Sequence, residues 1–289
     1  MSVALMYFAK VNVNHDVYKL YEKPELLGQI LDRLLVSIDQ QKRVKIAQDK
    51  EEFWVKFISL EKDIDRRYII GRVVKIFEDD IEIYNSAKDD VDPLPTKELA
   101  RSVTFYFDLR TELVAFTTSR YFGHLQFCAY FKELLNAYSD EAQFEVFLEK
   151  NADELKERLY KIKKITRIDI TLIPPNPNSK AFARIFPQDT IELQKSRITK
   201  IQQSYLASGR GEGIDPKTDL IDRAVIGVSE GYGDMTAYGK NEGGIEISVS
   251  SSKDAPHKRF IHRNMKDSLS GVMEAGRAFI QELISKRLG

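Results

Sequence analysis

The chain has 289 residues, 43% of them hydrophobic and 30% charged, with 44 basic and 44 acidic side chains and a formal net charge of +0. That composition excludes a wholly disordered or collagen-like chain, and the length suits one large domain or two ordinary ones. A single cysteine, Cys128, excludes an intrachain disulfide and a cysteine-rich zinc site.

Residues 3–13 alternate and read as a strand rather than a signal peptide, because no basic n-region precedes them. No window carries the roughly 18 uninterrupted apolar residues that a membrane span needs, so a cytoplasmic location and no direct membrane insertion are expected. Pro24 suits a helix start, and Leu26, Leu27, Ile30, Leu31, Leu34, Leu35 and Ile38 make one helical face. Residues 43–47, 53–60 and 68–77 mix β-branched and aromatic residues with charges, as half-buried antiparallel strands do. Residues 78–92 are acidic and lead to Pro93 and Pro95, which predicts a solvated loop.

Residues 102–138 are the most informative stretch. They read as strand, two-residue turn, strand and then an amphipathic helix marked by Leu125, Phe127, Cys128, Phe131, Leu134 and Leu135. The sequence thus predicts an α+β fold with a mostly antiparallel sheet and covering helices, not a doubly wound nucleotide-binding fold. A boundary at residues 139–141 divides it into an N-terminal α+β domain, 1–139, and a C-terminal α+β domain, 140–289.

In the second part, residues 144–148 alternate and Asn151 caps a short helix. Residues 165–173 form a strand ended by the run Pro174, Pro175, Asn176, Pro177, Asn178. Residues 191–206 and 218–229 read as helices, residues 231–252 and 258–262 as β, and residues 265–288 as a long terminal helix. Met265, Leu269, Val272, Met273, Phe279, Ile280, Leu283 and Ile284 give that helix an apolar stripe, which packs within the chain or serves a dimer, with Gly271 and Gly276 permitting close approach.

Four groups of residues are candidates for function. Two basic runs, Lys156, Arg158, Lys161, Lys163, Lys164 and Arg167, then Lys253, His257, Lys258, Arg259, His262, Arg263 and Lys266, would neutralise phosphates if they converge; otherwise they are solvated faces. Glycine-rich stretches at 209–213 and 231–234 lack the ending of a phosphate loop and read as turns, although Arg210 and Tyr232 could contact a partner. His15, His124, His257 and His262 show no metal spacing; Arg120 with His124, and Asp234 with Glu246, are the pairs a nuclease reading would use. Buried in a helix, Cys128 reads as a small hydrophobe.

Residues 102–138, with a Phe-rich strand, a second strand, the Phe122–Gly123 pair and an apolar helix, resemble the equivalent part of phage-exclusion proteins of the RexA type. Residues 167–178 resemble that family's strand of apolar residues around an Asp, ended by Pro. The plan is also similar to that of antiphage-defence proteins of the KwaB type. The resemblance implies a two-domain, non-enzymatic protein without a cofactor that binds double-stranded DNA with little sequence preference, as a homodimer, in phage exclusion or abortive infection. That family acts with a small membrane protein. With this resemblance, the DNA-contacting residues expected are Lys161, Lys163, Lys164, Arg167, Lys258, Arg259 and Arg263. A metal-dependent nuclease built on Asp234 and Glu246 is one alternative. A protein-binding sensor or inhibitor whose acidic loop mimics nucleic acid is another.

Overall fold

The computed structural model describes residues 2–14, 17–48, 51–177, 179–186, 190–208 and 211–288. Its first half runs β1 (Val3–Val13), α1 (Val17–Glu22), α2 (Glu25–Ser37), β2 (Val44–Gln48), β3 (Glu51–Asp63), β4 (Tyr68–Asn85), β5 (Asp90–Asp108), β6 (Leu113–Thr117) and α3 (His124–Ala137). The second half adds β7 (Phe144–Leu148), α4 (Ala152–Tyr160), β8 (Lys164–Leu172), α5 (Ser179–Ile185), α6 (Thr190–Lys195) and β9 (Ile201–Leu206). It continues with α7 (Asp219–Ser229), β10 (Gly233–Lys240), β11 (Glu246–Ser250), α8 (Ser251–Asp254), β12 (Lys258–His262) and α9 (Leu269–Leu288). The fold is α+β, with antiparallel pairing in both of its sheets.

The larger sheet has the order β12-β1-β6-β5-β4-β3-β2. β1 is apolar on both faces because both are covered. Tyr7, Ala9 and Val11 face α2 and α3, whereas Met6 and Phe8 face α9. On α2, Leu31, Leu34 and Leu35 fall at helical spacing on the buried side. On α3, Phe131 sits at the centre of an aromatic cluster, its ring 5.2 Å from Phe105, 5.2 Å from Phe127, 5.8 Å from Phe57 and 5.9 Å from Phe107. Such edge and offset ring contacts each add to plain area burial.

The smaller sheet has the order β11-β10-β8-β9. Ile165, Ile168, Ile170 and Leu172 of β8, with Met235 and Ala237 of β10, pack on Leu155 and Leu159 of α4 and Ile221, Val225 and Val228 of α7. Asn151 caps α4 as expected, its side chain accepting from the Asp153 and Glu154 amides.

Several expectations are corrected. Residues 78–92 are not a loop: β4 and β5 continue through them as a two-stranded ribbon, paired from Phe77↔Leu99 to Asn85↔Asp90. Pro93 and Pro95 lie at alternate positions, so both missing amides face one edge, and β6 covers β5 only at residues 105–108. The turn between β5 and β6 spans four residues, 109–112, with Glu112 at φ 57°. Residues 201–206 are an edge strand rather than the end of a helix.

The partition into 1–139 and 140–289 does not follow the sheets. β12 and β7 lie end to end along one edge of β1, pairing with residues 3–7 and 9–13 respectively. α9 closes the far face of the same sheet, with Gly276 against Ala115 and Tyr106. The apolar stripe of the terminal helix is therefore used within the chain.

Buried polar groups join the two sheets. Lys10 Nζ lies 3.0 Å from Glu112 Oε2, and Asn176 donates to the same carboxylate while its Oδ1 accepts from the Val13 amide at 2.8 Å. Burial pulls the Lys10 ammonium down, but Glu112 and Tyr232 hold it above the ordinary lysine value. Lys150, wholly buried, donates to the Gly233 carbonyl at 2.5 Å and pairs with Asp234 at 2.8 Å. Glu149 pairs with Arg287 at the end of α9.

Candidate nucleic-acid interface

The two basic runs sit on different sheets. Lys161, Lys163, Lys164 and Arg167 belong to the α4–β8 corner of the smaller sheet, whereas Lys258, Arg259 and Arg263 belong to β12 and the turn after it. In the first group Lys161 is paired with Glu157 at 2.6 Å and Arg167 with Asp169 at 2.6 Å. Upstream in the same run, Lys156 pairs with Asp222 and Arg158 with Glu154. Much of this run is thus an ion-paired surface with little charge left for a phosphate.

The second group differs. β12 is an edge strand whose residues alternate across the sheet. Arg259 faces α9 and pairs with Glu282 at 2.5 Å, while Ile261 fills the core beside it. Lys258, Phe260 and His262 face the other way and are exposed, Phe260 by 69%. Arg263, also exposed, donates to the Ser2 hydroxyl.

This exposed row continues onto α3. Lys258 is the cross-strand partner of Tyr7, and the Tyr7 ring stacks on His124 at 4.7 Å, at the first residue of α3. The His124 imidazole titrates below the ordinary histidine range because it is buried; the Ser252 carbonyl, 3.2 Å from Nε2, opposes that shift and Lys258 reinforces it. Just before α3, Arg120 lies over the exposed Tyr121 ring at 5.4 Å, and Arg101 of β5 lies over the same ring at 5.3 Å. Arg263, Lys258, Arg120 and Arg101 thus punctuate a band that also offers Phe260 and Tyr121 and the positive end of a 14-residue helix. The sequence signal for its far half was the Arg120, Tyr121, Phe122, Gly123 run itself. What it could not show is that β1 carries Lys258 to the same place.

The other candidates resolve into structure. Asp234 is held by Lys150 and by the Ser252 hydroxyl, whereas Glu246 pairs across from Lys240, six residues farther along β10. At about 3.3 Å per residue the two carboxylates are roughly 20 Å apart, so they do not form a metal pair. Among the described residues no group of three or more His, Cys, Asp or Glu side chains could hold a metal ion. His257 packs on Phe8 at 5.5 Å, and His15 lies outside the described residues. Gly209, Arg210 and Asn178 also lie outside them.

Near the second glycine stretch, Gly231 adopts φ 77° where its missing Cβ would strike Lys10, and Gly233 lets β10 approach the Thr171 carbonyl. Tyr232 is buried, not a surface contact. Cys128 is buried, and burial pushes its thiol far up, which makes it an inert core residue.

Residues 7–275 match the model of a family described as a domain of unknown function, DUF4747, and the chain belongs to that family. No curated protein matches it. Among the described residues no helix is long and apolar enough to cross a membrane.

Proposed function

We propose that this chain is a non-enzymatic, cytoplasmic protein that binds double-stranded DNA with little sequence preference and acts in phage exclusion or antiphage defence. The observation that carries the reading is the exposed row Lys258, Phe260 and His262 on an edge strand, followed by Arg263, with Arg120 and Arg101 farther across the same sheet face. Cations at this spacing, with no base-reading helix among them, suit phosphate contacts. Of the residues expected from sequence, Lys258 and Arg263 remain the principal contacts; Lys163 is an exposed accessory. The likeness to RexA-type proteins supports the biological setting and a membrane-protein partner. A homodimer, which would multiply the contacts, would form through a surface other than the apolar stripe of α9.

Fluorescence anisotropy with labelled duplexes of unrelated sequence, in the absence of Mg²⁺, tests the proposal. Comparable affinities that weaken steeply with salt support it; no binding at low salt refutes it.

A second reading, a protein-binding sensor or inhibitor, draws on the acidic ribbon of β4 and β5. That ribbon projects past the last β3 pairing at Ile76 and carries Asp79, Asp89, Asp90 and Asp92. Capture of a basic protein lost on shortening the ribbon would favour it.

A further inference from the structure

A cleft of about 830 Å³ opens between β3, β4, β5 and the start of α3, within the size range of small-molecule sites. We propose that it binds a nucleoside phosphate through Arg101 and Arg120, the two arginines that the duplex-binding band described above shares with this cleft.

The charge arrangement calls for an anion. Lys75 and Arg101 stand directly opposite each other on β4 and β5, and both line the cleft. Like charges so placed are unfavourable without a counter-ion. Glu51, 3.9 Å from Lys75, relieves one of them, and Glu52 is taken by Lys45 at 2.5 Å. Arg101 and Arg120, which share the Tyr121 ring, make no ion pair among the described residues. Both guanidinium groups are thus left to clamp a phosphate in bidentate fashion.

The start of α3 closes one side of the cleft. Gly123 provides no side-chain cap for α3, its amide is taken by Gln126 Oε1 at 3.0 Å, and both residues line the cleft. Behind them Tyr130 is buried, its ring packing on Phe53 at 5.2 Å and its hydroxyl beside Gln126.

A bare phosphate would leave the rest of the cleft empty. Away from the arginines, Phe53 is buried beneath Lys75, whose ammonium lies 4.0 Å from its ring centre and 5.3 Å from that of half-buried Phe77, beside the Glu78 carboxylate. The part of Phe77 that Lys75 leaves uncovered suits the edge of a planar base, with the carboxylate accepting from amino or hydroxyl groups.

Isothermal titration calorimetry of the full chain with AMP, GMP, ATP, GTP, inorganic phosphate, adenosine and guanosine tests this. At least one nucleotide is expected to bind roughly tenfold or more tightly than phosphate or its own nucleoside. Arg101→Ala and Arg120→Ala are each expected to weaken it about tenfold or more, the fold-change for a lost charge-assisted contact. Arg120→Lys should give an intermediate loss and Lys258→Glu none, and circular dichroism should show every variant folded. A 5′-phosphorylated dinucleotide separates a free nucleotide from a strand terminus; binding of either, lost in Arg120→Ala, supports the proposal. No nucleotide or dinucleotide binding at about 1 mM, phosphate bound as tightly as nucleotides, or undiminished binding by folded arginine variants would overturn it.

Discussion

Tyr7 and His124 stack at 4.7 Å with 14° between their ring planes, and through this contact the edge strand β12 and the start of α3 become one surface. Tyr7 is the cross-strand neighbour of Lys258, so the stacking fixes how far that lysine stands from Arg120. Cations separated by more than a hundred positions in the chain therefore act on the same side of the molecule.

Charge reversal should discriminate between the two basic runs. The pair Lys258→Glu and Arg263→Glu is expected to weaken binding to every duplex by about tenfold or more. Lys161→Ala and Arg167→Ala should each change it by less than about twofold, because those side chains are already paired with Glu157 and Asp169. Anisotropy titrations at one fixed salt concentration would read both.

The acidic ribbon should be dispensable for folding. From Phe77 outward β4 pairs only with β5, since the last β3 pairing is at Ile76. Replacing residues 80–95 by a two-residue Asn-Gly turn, which closes the Asp79↔Thr96 pair, is expected to leave Tm within a few degrees of the parent, by the scale of about 4 °C or less per kcal/mol for a chain of this size. It should also strengthen duplex binding, by removing charge that repels phosphate. Calorimetry and anisotropy on one preparation check both parts.

The aromatic cluster beneath α3 should be the costliest place to truncate. Phe131 is fully buried against Phe57, Phe105, Phe107 and Phe127. Phe131→Ala is expected to lose about 3–5 kcal/mol in urea unfolding, the range for deleting a core ring and leaving a cavity.

Stability should fall on mild acidification through His257. Burial first, then Arg259 and Arg287, lower its titration from 6.5 to about 4. The unfolded chain thus takes up the proton before the folded one does. The stability this neutral imidazole contributes is complete above about pH 6.5 and is lost as pH falls from there toward 4. The drop in urea midpoint between pH 7.5 and pH 5 should be smaller in His257→Asn than in the parent.

Local elements were legible where local chemistry decides them. β1, α2, the β6–α3 unit, the Asn151 cap and α7 follow from periodicity and capping residues close in sequence. The ribbon was not, because a two-stranded arm with both faces in water needs no apolar alternation, and its carboxylates and prolines carry the same signal as a loop. β9 was misread because Ile201 and Tyr205, four apart, suit a helix face as well as one side of an edge strand.

The candidate site was half legible. Lys258 and Arg263 stand in a basic run, but their place on the same side of the sheet as Arg120 depends on β12 pairing with β1 across some 250 residues of chain. The carboxylates that neutralise Lys161 and Arg167 were visible in sequence as Glu157 and Asp169. Their pairing was set by the helical i,i+4 spacing of one and the same-face strand spacing of the other.

The salt dependence of duplex binding, compared between the parent chain and the Lys258→Glu, Arg263→Glu variant, tests most directly whether phosphates are held by the band along β12 and α3. The parent should show a steep inverse slope of log affinity against log salt, and the variant a slope shallower by about two, one for each lost phosphate contact. Equal slopes and affinities in the two proteins would contradict the assignment of the interface to this band.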